Sequence, residues 1–174
     1  MTPRQLVKEI PHARMAFPSS TADRVKYLIW RFYTPFHPLV RDASLAVGIV
    51  KHSGRQPFIL GHIAPQYTIE EVVMHLVRKH GFGNHFIAWN DEGEAVSLRR
   101  VVGFRYQYHV RIFTDGEIRG HFEYTPEYRP IQHMQEKGFE DRREEFLAFL
   151  GERIIATDKR DSFKHLSLKA SLGH

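Results

Sequence analysis

The chain contains no cysteine. That excludes a disulfide framework, a thiolate metal site and a thiol nucleophile, and it fits a reducing compartment. No apolar run approaches the roughly 20 residues needed to cross a bilayer. The N-terminal stretch MTPRQLVKEIPHAR lacks the apolar centre of a signal peptide. These absences predict a soluble, cytoplasmic protein with no membrane partner. There is no Walker loop, no dinucleotide-binding glycine run, no Gly-x-Ser-x-Gly elbow and no His-Glu-x-x-His. The last absence leaves His75 and His80 as surface or helix-end residues. Of the two His-x-Ser/Thr repeats that a two-histidine phosphoesterase needs, only His165-Leu166-Ser167 is present.

What is present suits one domain with a real core: 174 residues, 42% hydrophobic and 13% aromatic. The net charge of +5 is uneven. Residues 1–41 carry seven Lys/Arg against two Asp/Glu, residues 42–151 thirteen against fifteen, and residues 152–174 five against three. A near-neutral middle with basic ends is a solvated surface or a site for nucleic acid or acidic partners.

The most informative stretch is Gly103 to Thr125. Phe104, Tyr106, Tyr108, Val110 and Ile112 alternate with Arg105, Gln107, His109 and Arg111, the period of a half-buried strand. Ile118, Gly120, Phe122 and Tyr124 alternate with Arg119, His121 and Glu123 on the return. A two-residue turn at Asp115-Gly116 would mix apolar and charged residues on each face. A three-residue loop, Thr114-Asp115-Gly116, sets Ile112 opposite Ile118, Tyr108 opposite Phe122 and Tyr106 opposite Tyr124. The other face then pairs Arg111 with Arg119, His109 with His121 and Gln107 with Glu123. A one-residue slip inverts every side chain, so the apolar match selects this register. Similar turns are expected at 90–94, with Ala88 opposite Val96 and Phe86 opposite Leu98, and at 51–55. The first puts His85, Ile87, Trp89, Ser97 and Arg99 on the polar face.

In chain order, a short helix capped by Thr2 is expected over 2–10. A helix follows over 22–33, with Val25, Leu28, Ile29 and Phe32 as its buried stripe. Trp30, Phe32, Tyr33 and Phe36 are expected to pack on the sheet. Residues 43–50 read as an apolar strand paired with 58–63. Thr68 and Glu71 form a capping box for a helix with Ile69, Val72, Val73, Leu76 and Val77 inward, stopped at Gly81 or Gly83. Four strands cover 84–125, a loop covers 126–137, and a last helix covers 140–150. The expected fold is α+β: a single antiparallel sheet of about six strands flanked by helices, in the order α-β-β-α-β-β-β-β-α. It resembles profilin-like and PAS-like sheets in topology. Residues 1–151 form the domain, with 1–41 a basic helical segment packed on the sheet. Residues 152–174 form a polar, basic tail.

Gly61 to Pro65 followed by Thr68 to Phe82 has the loop–helix outline of Nudix hydrolases. The helix reads His75-Leu76-Val77-Arg78-Lys79-His80 where that family carries its metal-binding carboxylates, so membership is not inferred.

The function therefore rests on the polar face. Opposed like charges destabilise a sheet, so Arg111 facing Arg119 calls for an acidic partner such as Glu144 or Glu145, for water, or for a bound anion. The leading expectation is a binding module for a phosphate-bearing ligand, RNA or single-stranded nucleic acid first. Arg99, Arg105, Arg111 and Arg119 contact phosphate in that reading, Trp89 stacks, and Gln107 and Glu123 complete the site. The alternative is a metal-independent phosphodiesterase or nuclease with His109 and His121 as its acid–base pair. A third class is an interaction or homodimerising domain without catalysis. His109, His121 and Glu123 also form a metal-ligand set, but two flanking arginines oppose a dication. No metal site and no cofactor is assigned.

Overall fold

A computed structural model describes residues 8–15, 17–48, 58–85, 92–134 and 139–158. The chain runs through α1 (Thr21–Tyr33), a 3-10 turn (Thr34–Phe36), α2 (His37–Ala46), β1 (Ile59–Ile63) and α3 (Ile69–His80). Then follow β2 (Gly83–Asn84), β3 (Glu94–Val102), β4 (Tyr106–Phe113), β5 (Glu117–Tyr124), α4 (Pro130–Met134), α5 (Arg143–Leu150), a second 3-10 turn (Gly151–Arg153) and β6 (Ile154–Ala156). The fold is α+β, and its single antiparallel sheet has six strands in the order β2-β3-β4-β5-β1-β6. No helix among the described residues is long and apolar enough to cross a membrane.

The β4–β5 hairpin has the register read from its apolar face: Tyr106 pairs with Tyr124, Tyr108 with Phe122, His109 with His121 and Ile112 with Ile118. Gly116 closes the turn at φ 85°, where a side chain would be strained. The even-numbered residues Val96, Leu98, Val110, Ile112, Ile118 and Phe122 form the core with Leu60. α3 covers this face with Val72, Val73 and Leu76, and α5 with Phe146 and Leu150. α3 begins at the expected capping box: Thr68 Oγ1 accepts from the Glu71 N–H at 3.2 Å, and the Glu71 carboxylate accepts from the Thr68 N–H at 2.8 Å. It ends where Gly81 takes φ 69°. α5 is tied to β1 by the buried Arg143, whose guanidinium donates to the carbonyls of Ile59 (2.7 Å) and Leu60 (2.9 Å).

Several expectations are corrected. Residues 43–46 belong to a helix, not a strand. Ala43, Leu45 and Ala46 are helix formers, and Pro38 sits in the first turn, where its missing N–H costs nothing. The partners of β1 are instead β5 and β6. β6 comes from the chain after α5, where a tail was expected. Asn84, not Phe86, lies opposite Leu98. That two-residue offset leaves both faces unchanged, so the apolar pattern cannot detect it. The last helix starts at Arg143 because Glu140 is held extended by a two-way backbone bridge to Phe122. The turn at 51–55, Trp89 and most of the helix at 2–10 lie outside the described residues.

The α1 stripe also faces the other way. Val25, Leu28, Ile29 and Phe32 are exposed, the last by 77%. The opposite side of α1 meets the sheet end: Trp30 is buried, Asp23 bonds Arg105 at 2.9 Å, and Tyr27 packs edge-on against Phe104. A half-buried ion pair and a buried indole outweigh the amphipathic pattern in setting the rotation of this helix.

At Gly120 the core leaves no room: a Cβ would lie 2.9 Å from Leu60 Cδ1 and from the Phe146 ring. Gly120→Ala is expected to destabilise the fold by about 1–3 kcal/mol in urea unfolding, the cost of overpacking. An unchanged midpoint would mean that Phe146 can move aside freely.

Candidate functional site

Parity along β3, β4 and β5 sends Ser97, Arg99, Gln107, His109, Arg111, Arg119, His121 and Glu123 to the face opposite the core. That face was expected to bind a ligand, meet an acidic partner or lie in water. It is buried instead: Gln107 is 0% exposed, His121 and Glu123 1% each, and Arg99 2%. α4 and the segment at Phe139 lie over it. Phe139 stacks on His121 with centroids 4.1 Å apart, and Phe58 approaches the same ring at 5.9 Å. Phe58 holds φ 72°, a left-handed conformation that costs a non-glycine residue about 1–3 kcal/mol.

A buried arginine needs a carboxylate, and each arginine of this layer has one. Arg99 forks onto Glu127, with three contacts of 3.0–3.1 Å. Arg111 Nε donates to Glu94 at 2.8 Å, and Arg119 Nε donates to Glu117 at 2.6 Å. The opposed Arg111 and Arg119 thus take separate partners from β3 and β5. The proposed partners lie elsewhere: Glu145 bonds Tyr108 and Arg142 on the core side, and Glu144 is exposed. Arg105 pairs with Asp23.

Glu123 is surrounded by imidazoles. Its Oε1 lies 3.2 Å from His109 Nδ1, and its Oε2 lies 3.4 Å from His121 Nε2 and 3.0 Å from His133 Nδ1. His109 Nδ1 and His121 Nε2 are 3.3 Å apart. On its far side, His109 Nε2 is 2.8 Å from Ser97 Oγ and 3.3 Å from His85 Nδ1. Gln107 donates to Glu123 Oε1 at 2.7 Å and accepts from Arg99 at 3.2 Å, so the ligand carboxylate is fixed through the Arg99–Glu127 pair. Two atoms of the cluster, His85 Nε2 and Glu123 Oε2, are buried with no hydrogen bond. His133 Nδ1 is close to Glu123 Oε2, but it also reaches the Tyr124 carbonyl at 3.3 Å, which can only accept.

Burial pushes His109 down to about 3, helped by His121 and Arg111 and opposed by Glu123. His85 falls well below the ordinary imidazole value, through burial and then through His109 and Arg99. Burial pushes Glu123 up, but His133 and His121 beside it hold it well below the usual carboxylate range. His133 goes up, because Glu123 outweighs its burial. At neutral pH the centre therefore presents a neutral His109 and an ionised Glu123, the forms a metal ion binds. Neutral His109 keeps a single N–H and is a weak base at that pH.

The ligand atoms of His109, His121 and Glu123 all lie within 4.8 Å of one another. The two imidazole nitrogens are 3.3 Å apart, close to the edge of about 3.3–3.4 Å of a tetrahedron with metal–nitrogen bonds of about 2.0–2.1 Å, and each lies 3.2–3.4 Å from a different oxygen of Glu123. The arginines that opposed a dication in the sequence are neutralised by their own carboxylates. Comparison of the chain with family models, with curated proteins and with solved structures finds no match.

Sequence reasoning thus brought His109, His121, Glu123, Gln107, Arg99, Arg111 and Arg119 onto one face, as the structure does. It gave Glu94, Glu117, Glu127 and His133 no role, and left His85 and Ser97 only as members of the face. Strand parity could have promoted His85 and Ser97. Nothing local marks Glu127 and His133, which come from the chain after β5.

Arg99→Leu is expected to cost about 3–5 kcal/mol in chemical denaturation, because Glu127 is left as a buried, unpaired charge. The double variant Arg99→Leu/Glu127→Leu is expected to recover most of that loss. Equal costs for the single and double variants would show that the two side chains do not act as a pair.

Proposed function

We propose that this protein is a binding module and that its histidine-rich sheet layer binds one divalent transition-metal ion. His109 Nδ1, His121 Nε2 and a Glu123 oxygen are the ligands. The observation that carries this reading is the convergence of two buried imidazoles and a buried carboxylate whose ligand atoms all lie within 4.8 Å of one another. Two imidazoles and a carboxylate favour an ion such as zinc or ferrous iron over magnesium or calcium, which prefer all-oxygen shells. Ser97 supports the same reading. Its Oγ lies 2.8 Å from His109 Nε2, where it would accept that nitrogen's proton once Nδ1 turns its lone pair to the ion, the role outer partners play for metal-bound histidines.

Metal-stripped protein is expected to take up one equivalent of zinc. At free metal a hundredfold above the dissociation constant, uptake stabilises the fold by about 2.7 kcal/mol. Glu123→Gln and His109→Ala are each expected to abolish the stabilisation, read against their own metal-free forms. Stoichiometric uptake that persists in both variants sinks the proposal.

A phosphate-bearing ligand, RNA or single-stranded nucleic acid included, is the second reading. It draws on Arg129, 4.6 Å over the Tyr124 ring, and Lys26, 4.1 Å over Tyr128. These cations lie nearer the surface than the paired arginines of the layer and stand beside aromatic rings, the combination that single strands use. Fluorescence anisotropy with a mixed single-stranded RNA is expected to show binding that weakens steeply with salt and is reduced in Arg129→Ala/Lys26→Ala. Salt-independent binding would exclude it.

A further inference from the structure

Three protein donors are one short of the four that close a structural zinc site; catalytic sites leave that position to water. His133 stands next to the centre. β5 leads through Glu127 into the short helix α4, which carries it. Its Nδ1 is 3.0 Å from the buried Glu123 Oε2. That separation suits two donors sharing one ion, but His133 lies outside the group of three whose ligand atoms are all within 4.8 Å of one another, so it must turn inward to join them. The imidazole is 18% exposed, whereas His121 and Glu123 are sealed beneath it, so it stands on the solvent side of the cluster. The same nitrogen lies 3.3 Å from the Tyr124 carbonyl.

Building on the metal reading, we propose that His133 is the fourth ligand and that the centre is a closed one. On uptake, the imidazole turns from the Tyr124 carbonyl toward the ion. Three imidazoles and one carboxylate then surround it. The ion thereby links α4 to the β4–β5 hairpin, so the chain after β5 is held to the sheet by coordination as well as by packing. A closed centre of this kind serves structure or metal storage. It offers no water position for hydrolysis.

The test is a titration of cobalt(II) into the metal-stripped full chain and into His133→Ala. Limited proteolysis of the 126–140 region runs in parallel, with circular dichroism to check that the variant is folded. The wild type is expected to show the intense visible bands of a four-coordinate ion, and cobalt is expected to protect the 126–140 region from cleavage. In His133→Ala the affinity is expected to fall at least about tenfold to a hundredfold, a range that outer-shell partners already command. The bands weaken as water enters and raises the coordination number, and the protection is lost. An unchanged affinity, spectrum and protection in His133→Ala overturns the fourth-ligand assignment and leaves an open three-ligand centre. A folded wild type that takes up no cobalt overturns the metal reading itself, and this assignment with it.

Discussion

The register of one hairpin governs this molecule. Side chains in a strand alternate with a period of two, so a shift of one residue between β4 and β5 would carry every core residue to the opposite face. The three-residue turn at Thr114-Asp115-Gly116 prevents that shift, and only a residue tolerant of positive φ can close it. With the register set, Val110, Ile112, Ile118 and Phe122 meet α3 and α5, and their neighbours in sequence must share the other side. Those neighbours are arginines, histidines, a glutamine and a glutamate.

Both faces of the sheet are covered, so the second layer must satisfy its charges internally. It does so in pairs: Arg99 with Glu127, Arg111 with Glu94, Arg119 with Glu117. Such pairs rarely outperform apolar packing of the same volume, because desolvating two ions costs several kcal/mol per charge. A layer of this kind is poorly explained as a means to stability. What it does provide is position. Arg99 holds Gln107, Gln107 holds Glu123, and Ser97 holds His109, so the donor atoms converge with little freedom.

The same balance of forces acts at the sheet end. α1 has an apolar stripe suited to a core, yet that stripe faces outward while Asp23 and Trp30 face in. Arg105, near the start of β4, holds Asp23 at 2.9 Å. Long-range partners thus override helical periodicity here, as they do at Glu140, where a backbone bridge to Phe122 delays the start of α5.

By itself, the sequence determined whatever depends on local geometry. The alternation from Phe104 to Tyr124 set the hairpin register and sorted the residues into two faces. Thr68 and Glu71 set the start of α3, and its end was narrowed to Gly81 or Gly83, of which the structure uses Gly81. These features involve neighbours a few residues apart or strands joined by one turn. Tertiary structure alone decided that the polar face is covered, which way α1 is turned, and that 154–156 returns as a sixth strand. It also brought Glu127 and His133, from the loop and short helix beyond β5, to Arg99 and Glu123. No periodicity encodes such approaches, because they depend on how separate elements pack. For that reason a face that reads as a solvated patch of arginine and histidine is, in the folded chain, a buried layer of ion pairs around a histidine-ringed carboxylate.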